Sequence, residues 1–453
     1  MTDFSNKKSG FKKVLVANRG EIALRVIRAL KELGIKSVLA VSEADKDSLP
    51  AQLADEKICI GPAPASDSYL NISRIISAAI VKKCDAIHPG YGFLAESNHF
   101  AEICASYGIT FIGPSPKTIA LAGRKAQIIE VLKKNKIPVV PGSHRVVKEI
   151  NEAKKISKEI AYPVMIKASA GGGGKGMRLV KNEQELEEAF HTAMQEAQGA
   201  FSNPDLYIEK FIESPKHIEI QIAADRFGNI IYFPERDCSI QRKHQKLLEE
   251  SPSLKVCEKL RKKLGETAKK IARIIKYETV GTVEFILSKN DFYFIEVNAR
   301  IQVEHPVTEL VSDVDLVKLQ VLLASGEKLE IKQDEIKIHA HAIECRINAE
   351  DENFMPQAGK IKHFILPRGA GVRVDTALKP GAVIPPYYDS LIAKVITAGR
   401  SRKSALKRMK IALDEFKIQG IKTNIPLHKK ILENPAFLKG NYNTNFIEKL
   451  NLR

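Results

Sequence analysis

Two acids, Glu284 and Glu296, lie on the apolar segments Thr282–Leu287 and Phe292–Val297, with Lys289, Asn290 and Asp291 as turn residues between them. That spacing predicts a hairpin whose paired strands bring both carboxylates to one spot. Such a pair is a cradle for one or two Mg²⁺ ions bridging nucleotide phosphates. Asn298 follows at the next same-side position, and Glu296, Asn298, Arg300, Gln302 and Glu304 share one parity. A chain that stays extended there turns all five toward one side. Acid, amide, guanidinium, amide and acid do not make a core face. An exposed edge is the competing reading, but the flanking Val283, Phe285, Phe294, Ile295 and Val297 favour burial.

A glycine run, Gly171 to Gly174 with Gly176, sits beside Lys175 between two apolar segments. Glycines let backbone N–H groups approach phosphate oxygens without side-chain obstruction. No Ser or Thr follows Lys175, and Met177–Val180 reads as a strand, so this is not a Walker A loop. A flexible surface hairpin is the alternative. Taken singly, Lys125, Lys167, Lys210, Lys246 and Arg346 also fit a solvated surface. Lys167 ends the strand Val164–Ile166 just before the glycines, which favours a role beside them. His217 and His244 equally fit structural histidines, and Tyr91 in HPGYGFLAE fits loop packing.

The elements that position these groups fall into three parts. Up to about residue 115, Val14–Ala17, Ser37–Val41, Lys57–Ile60, Cys84–His88 and Ile109–Ile112 read as strands alternating with helices. Ile22, Val26, Ile27, Leu30 and Leu33 recur at helical spacing, and Gly34 marks the helix end. This α/β alternation predicts a Rossmann-like parallel sheet covered on both faces. The first strand runs into Asn18-Arg19-Gly20-Glu21, which is not the dinucleotide fingerprint. From about Gly123 helices surround the glycine run, a strand at Leu206–Ile212, and a hairpin turning at Asp225–Asn229. The last part, from about Ile338, mixes strands, Pro/Gly-rich turns and an amphipathic helix near Ser404–Phe416, giving an α+β reading.

At 453 residues the chain has room for two or three domains. Its 44% hydrophobic and 28% charged residues are ordinary globular composition. No apolar run approaches the roughly 18 residues of a membrane span. The opening MTDFSNKKSG has neither secretory nor transit character and reads as a short frayed leader of a cytoplasmic protein. Six dispersed cysteines without a C-x-x-C pair predict free thiols in a reducing compartment. The net charge of +17 arises from scattered lysines, which read as a solvated surface. No nucleic-acid signature accompanies it.

In order along the chain, NRGEIA, HPGYGFLAE, KASAGGGGKGM, ERDCSIQRKHQK, EVNARIQVEHPVTE and ECRINAED together resemble the biotin carboxylases of the ATP-grasp superfamily. The likeness runs from VLVANRGEIALRVIRALKELGI to Ile421–Leu432. It implies an N-terminal Rossmann-like domain at residues 1–123 and an ATP-grasp domain at 124–330, with a mobile Gly-rich lid at about 140–211. A C-terminal, mostly antiparallel domain would follow at 331–453.

The resemblance puts Lys125, Lys167, Gly173 and Gly174 on the ATP phosphates. Glu209, Lys210 and Ile212 would form the adenine-side hinge, with His217, Gln241 and His244 about the ribose and phosphates. Glu284 and Glu296 would bind Mg²⁺ or Mn²⁺, two ions per site, with Asn298 joining at the second. Lys246, Arg300, Gln302 and the Val303 backbone would hold bicarbonate, Glu304 would be its general base, and Tyr91 and Arg346 would line the biotin pocket.

The implied activity is carboxylation of biotin on a biotin carboxyl carrier protein, with a separate carboxyltransferase, as the first half-reaction of acetyl-CoA carboxylase in fatty-acid synthesis. A homodimer is implied, and neither nucleic acid nor membrane is an expected partner. Ala170, Lys175 and Arg124 depart from the family pattern and bear on the lid rather than on the reaction. Three rivals compete: another ATP-grasp ligase, a non-catalytic nucleotide-binding protein, and the front of a multidomain acyl-CoA or pyruvate carboxylase. Met409-Lys410, the nearest approach to a biotinyl hairpin, reads as the surface of the late amphipathic helix.

Overall fold

The structure is a computed structural model describing residue 4 and residues 9–168, 177–201, 203–289 and 291–450. The expectations for Gly173, Gly174, Ala170, Lys175 and Asn290, and for most of the leader, lie outside these residues. Phe4, within that leader, is buried in the first apolar core, which corrects the frayed reading at that position.

The first five strands are β1 (Lys13–Val16), β2 (Lys36–Val41), β3 (Glu56–Cys59), β4 (Ala86–His88) and β5 (Thr110–Phe111). They form a parallel sheet in the order β3-β2-β1-β4-β5. The helix Gly20–Glu32 buries Ile22, Val26, Ile27 and Leu30 at the predicted period. It ends at Leu33 with Gly34 at φ +70°, a backbone state glycine adopts freely. Glu21 and Tyr91 are thereby carried to the carboxyl end of the sheet, where open α/β folds bind ligands.

Next come β6 (Val164–Ala168), β7 (Met177–Val180) and β8 (Leu206–Lys210), an antiparallel sheet in the order β7-β6-β8. The helices Ile150–Ile160 and Glu183–Phe201 share a core with it that is separate from the others. Then follow β9 (Lys216–Ala224), β10 (Ile230–Tyr232), β11 (Arg236–Arg242), β12 (Gln245–Ser251), β13 (Thr279–Ser288), β14 (Asp291–Asn298) and β15 (His341–Asn348). The last six are β16 (Gly359–Lys360), β17 (His363–Ile365), β18 (Val372–Thr376), β19 (Val383–Ile384), β20 (Leu391–Gly399) and β21 (Lys417–Gln419).

A nine-stranded antiparallel sheet runs β14-β13-β9-β11-β12-β15-β20-β18, with β10 added to β9. It continues through β12 and β15, so the central and C-terminal parts share one sheet. The pairs β16–β19 and β17–β21 stand apart. Both predicted hairpins form, β9–β10 and β13–β14. The helix Arg402–Glu415 packs Ala405, Met409 and Leu413 into the core. Met409 is therefore interior rather than surface, because it shares the apolar stripe of its helix. All six cysteines are free thiols, with Cys59 and Cys257 exposed. No helix among the described residues is long and apolar enough to cross a membrane.

Candidate active site

The parallel sheet, the three-stranded sheet and the nine-stranded sheet converge on one cavity of about 1290 Å³. Every described residue given a site role from the sequence lines it, from Tyr91, Lys125 and Lys167 to Arg346. Glu209 and Lys210 reach the cavity from β8, and Ile212, Gln241 and His244 also line it. Lys167 and Glu209 face each other from β6 and β8 at 2.5 Å. The Lys210 ammonium is turned aside onto the carbonyls of Ala161 and Tyr162, both at 2.9 Å, while its backbone N–H donates to Pro141. Lys125 opens the helix Lys125–Lys134.

On the floor, Glu284 and Glu296 are directly paired across β13 and β14. Glu284 is buried and accepts from Lys246 at 2.8 Å, Asn298 at 2.8 Å and Gln302 at 2.9 Å, with His217 Nε2 at 2.7 Å. Burial alone raises such a carboxyl, but Lys246 and His217 outweigh it and hold Glu284 well below the usual range. Glu296 opens onto the cavity. Surrounding protein and the charge of Glu284 push its carboxyl up, with Lys125 opposing. Two facing carboxylates and the Asn298 amide oxygen are hard oxygen donors suited to Mg²⁺, and a divalent cation would relieve their mutual repulsion. The ligand atoms of His217, Glu219 and Glu284 also lie within 4.8 Å of one another.

The chain leaves the extended state after Asn298, so the uniform alternation expected through Glu304 does not hold. Gln302–Glu304 turn into the helix His305–Ser312, whose first turn carries Pro306, a residue pre-shaped for a helix start. The turn still delivers Arg300, Gln302 and Glu304 to the cavity. Lys246 donates to three buried carboxylates, Glu219 at 2.6 Å, Glu284 at 2.8 Å and Glu304 at 2.7 Å. The other Glu304 oxygen accepts from Arg346 at 2.8 Å, and Arg346 also donates to Glu249 at 2.6 Å. Burial and Glu219 push the Glu304 carboxyl up, but Lys246, Arg346 and Arg236 together hold it below its ordinary value. Glu249, buried beneath Arg346, is pushed up to about 7 by desolvation against the pull of Arg346. Arg300 reaches Asn298 at 2.8 Å and Glu96 at 3.0 Å.

Sequence reasoning missed the groups beneath this surface. Glu219 and Arg236 are fully buried and paired at 2.5 Å, and Arg236 also grips Gln302. The β9 pattern, with His217, Glu219 and Gln221 alternating against Ile218, Ile220 and Ile222, carried the signal for Glu219. Glu21 lay inside the NRGEIA motif without a role attached to it, while Glu249 and Lys394 left no comparable trace.

Three family models cover most of the chain. "Biotin carboxylase, N-terminal domain" matches residues 10–119, and "Carbamoyl-phosphate synthase L chain, ATP binding domain" matches 124–332. "Biotin carboxylase C-terminal domain" matches 344–449. Biotin carboxylase 1 of Bacillus subtilis is 54% identical over 441 residues, covering 96% of this chain and 98% of that protein. The chain belongs to the biotin carboxylase family. Its ATP-grasp architecture and its relatives make it an ATP-dependent carboxylase of the ligase class. Biotin carboxylase relatives extend beyond one pathway. A pyruvate carboxylase subunit of Methanothermobacter thermautotrophicus is 51% identical, covering 97% of this chain and 90% of that protein. The biotin carboxylase domain dimer of Hydrogenobacter thermophilus 2-oxoglutarate carboxylase, solved with MgADP, ADP and bicarbonate, aligns with a TM-score of 0.89 at 49% identity, covering 97% of each chain.

Proposed function

We propose that this chain uses ATP and bicarbonate to carboxylate biotin borne on a separate carrier protein, through carboxyphosphate. The observation that carries the reading is Glu304, a buried carboxylate held between Lys246 and Arg346 beside the paired acids Glu284 and Glu296. Bicarbonate entering beside Lys246, Arg300, Gln302 and the Val303 backbone competes for the cations that now depress Glu304. That competition strengthens Glu304 as the base that removes the bicarbonate proton. The resulting oxygen nucleophile attacks the terminal phosphorus and ADP leaves. Lys125, Lys167, Gly173, Gly174 and His244 hold the phosphates, Gln241 and His217 lie about the ribose and phosphates, and Glu209, Lys210 and Ile212 hold the adenine side. Mg²⁺ or Mn²⁺, two ions held by Glu284, Glu296 and Asn298, would supply neutralisation of phosphate charge when bound.

Carboxyphosphate then splits into carbon dioxide and phosphate, and the phosphate accepts the N–H proton of biotin. Arg346 stabilises the ureido enolate against Tyr91, and the enolate nitrogen attacks carbon dioxide. The reading divides the chain at 1–123, 124–330 and 331–453. A lid at about 140–211 closes on the intermediate and excludes water. The separate apolar core of β6 to β8 supports a body able to move as a unit.

We place the chain in the cytoplasm as the homodimeric biotin carboxylase component of acetyl-CoA carboxylase, with a biotin carboxyl carrier protein and a carboxyltransferase as partners. The relatives from pyruvate and 2-oxoglutarate carboxylases support a second reading, in which the final acceptor is an oxo acid. Bicarbonate-dependent ADP release with Mg²⁺, with and without free biotin, tests the core of the proposal for wild type and Glu304→Gln. Biotin stimulation lost in the variant is the expected result. Release that ignores biotin but answers to an amine or purine acceptor overturns it. Supplying carrier and carboxyltransferase with acetyl-CoA, pyruvate or 2-oxoglutarate separates the acceptors.

A further inference from the structure

Lys394 has no part in the chemistry above, yet it is among the largest fully buried side chains of the molecule. It stands on β20 opposite Arg346 on one side and Asp375 on the other. Its ammonium donates to the Val303 carbonyl at 2.8 Å and pairs with Glu21 Oε1 at 3.0 Å. The same Glu21 oxygen accepts from the Tyr91 hydroxyl. Asp375, 3.9 Å away, is already held by two bonds from Arg373. Lys394 thus ties together three stretches distant in sequence: the helix after β1, the turn after β14, and β20 itself.

The two ends of this tie are not equivalent to ordinary structural contacts. The Val303 carbonyl belongs to the peptide unit that carries the Glu304 N–H, so gripping it fixes the plane from which the Glu304 side chain departs. A buried ammonium is costly unless fully engaged, and its partners here are the base-bearing turn and the acid that orients Tyr91. We infer that Lys394 is a positioning residue that sets the distance between the bicarbonate-binding turn at Val303–Glu304 and the biotin wall at Tyr91. The inference rests on the reading proposed above for those two walls. Loosening the tie leaves the nucleotide side untouched, because among the described residues neither Lys394 nor Glu21 bonds to one proposed to hold ATP; their partners are Val303, Tyr91, Asp375 and each other. It lets carboxyphosphate form less often and, once formed, meet biotin out of place.

The test is a pair of variants of the full chain, Lys394→Met and the double variant Lys394→Met with Glu21→Gln. Methionine keeps length and apolar volume, and glutamine removes the carboxylate that the single change would orphan. The double variant therefore separates loss of positioning from loss of folding. Expected for the double variant are a KM for bicarbonate raised about tenfold or more, from the lost charged hydrogen bond, and a KM for ATP within about twofold of wild type. The ratio of ADP released to carboxybiotin formed is also expected to rise. A folded double variant with wild-type bicarbonate KM and coupling overturns the inference while leaving the carboxylase reading intact. Equal loss on ATP and bicarbonate overturns it too, since that marks a general structural role. If wild type itself shows no biotin-stimulated ADP release, the underlying reading fails instead.

Discussion

Arg236 offers the sharpest test of how the floor of the site is held. Its side chain is 0% exposed, and its five donor hydrogens match five acceptors. Nε reaches Glu219 at 2.5 Å, Nη1 reaches Gln221 at 2.8 Å and Thr308 at 2.9 Å, and Nη2 reaches Thr282 at 3.0 Å and Gln302. Burial pushes the Glu219 carboxyl up, yet Arg236 and Lys246 hold it at about 2. Arg236→Met removes one of those two cations and leaves the carboxylate in a dry site. Removing one partner of a buried pair costs about 3–5 kcal/mol, and the surviving Lys246 contact places this case near the lower end, at about 3 kcal/mol. For a chain of this size that is a fall of a few degrees in Tm. Glu219→Gln combined with Arg236→Met takes the stranded charge away, so the two changes must be less than additive by roughly 1.5 kcal/mol or more. Thermal unfolding of the two single variants and the double variant, at one pH and one scan rate, gives the comparison. Strictly additive losses refute the reasoning, because they mean Glu219 does not depend on Arg236 for its charge.

Glu296→Gln removes one of two facing acids and is expected to raise the Mg²⁺ concentration for half-maximal ADP release at least about tenfold, read from a metal titration at fixed ATP. Lys246→Met takes a cation from Glu219, Glu284 and Glu304 at once, leaving them Arg236, His217 and Arg346, so it is expected to lower Tm further than Arg236→Met as well as abolishing bicarbonate-dependent turnover. His428 is fully buried and desolvation lowers its ring to about 4, against an ordinary value near 6.5. The unfolded chain therefore binds the proton first, and stability is lost as pH falls from about 6.5 toward 4, by ~3 kcal/mol for this group. His428→Gln is expected to flatten that stretch of the stability–pH curve, and an unchanged slope counts against it. If the +17 charge helps recruit an acidic carrier, carrier binding weakens as salt rises from about 50 to 300 mM; affinity independent of salt removes that role from the basic surface.

The two halves of the cavity differ in how they could be read. The hairpin carrying Glu284 and Glu296 was legible because period-two alternation and a turn signal fix which side chains face each other over a few residues. The parallel sheet was legible for the same reason, from short apolar runs separated by one clear helical stripe. Extending the alternation from Glu296 to Glu304 failed, since Pro306 and the Gln302–Glu304 turn start a helix there. The residues reached the cavity all the same, because a tight turn can present successive polar side chains to one hollow as a strand does. Met409 was misjudged because its helix has a narrow apolar stripe, and only the packing against β15 and β20 shows which side that stripe faces.

By itself the sequence determined the local elements, the candidate chemistry of each polar group and, through six ordered motifs, the family. Local spacing settles these, because hydrogen-bonding geometry and side-chain periodicity act over a few residues. Tertiary structure alone decided which charges neutralise one another. Lys246 from β12 meets Glu219, Glu284 and Glu304, Arg346 from β15 meets Glu304 and Glu249, and Lys394 from β20 meets Glu21. Coulombic coupling and desolvation depend on distance and burial in space, not on separation along the chain. Residues far apart along the chain therefore set the ionisation and the orientation of Glu304 and its neighbours.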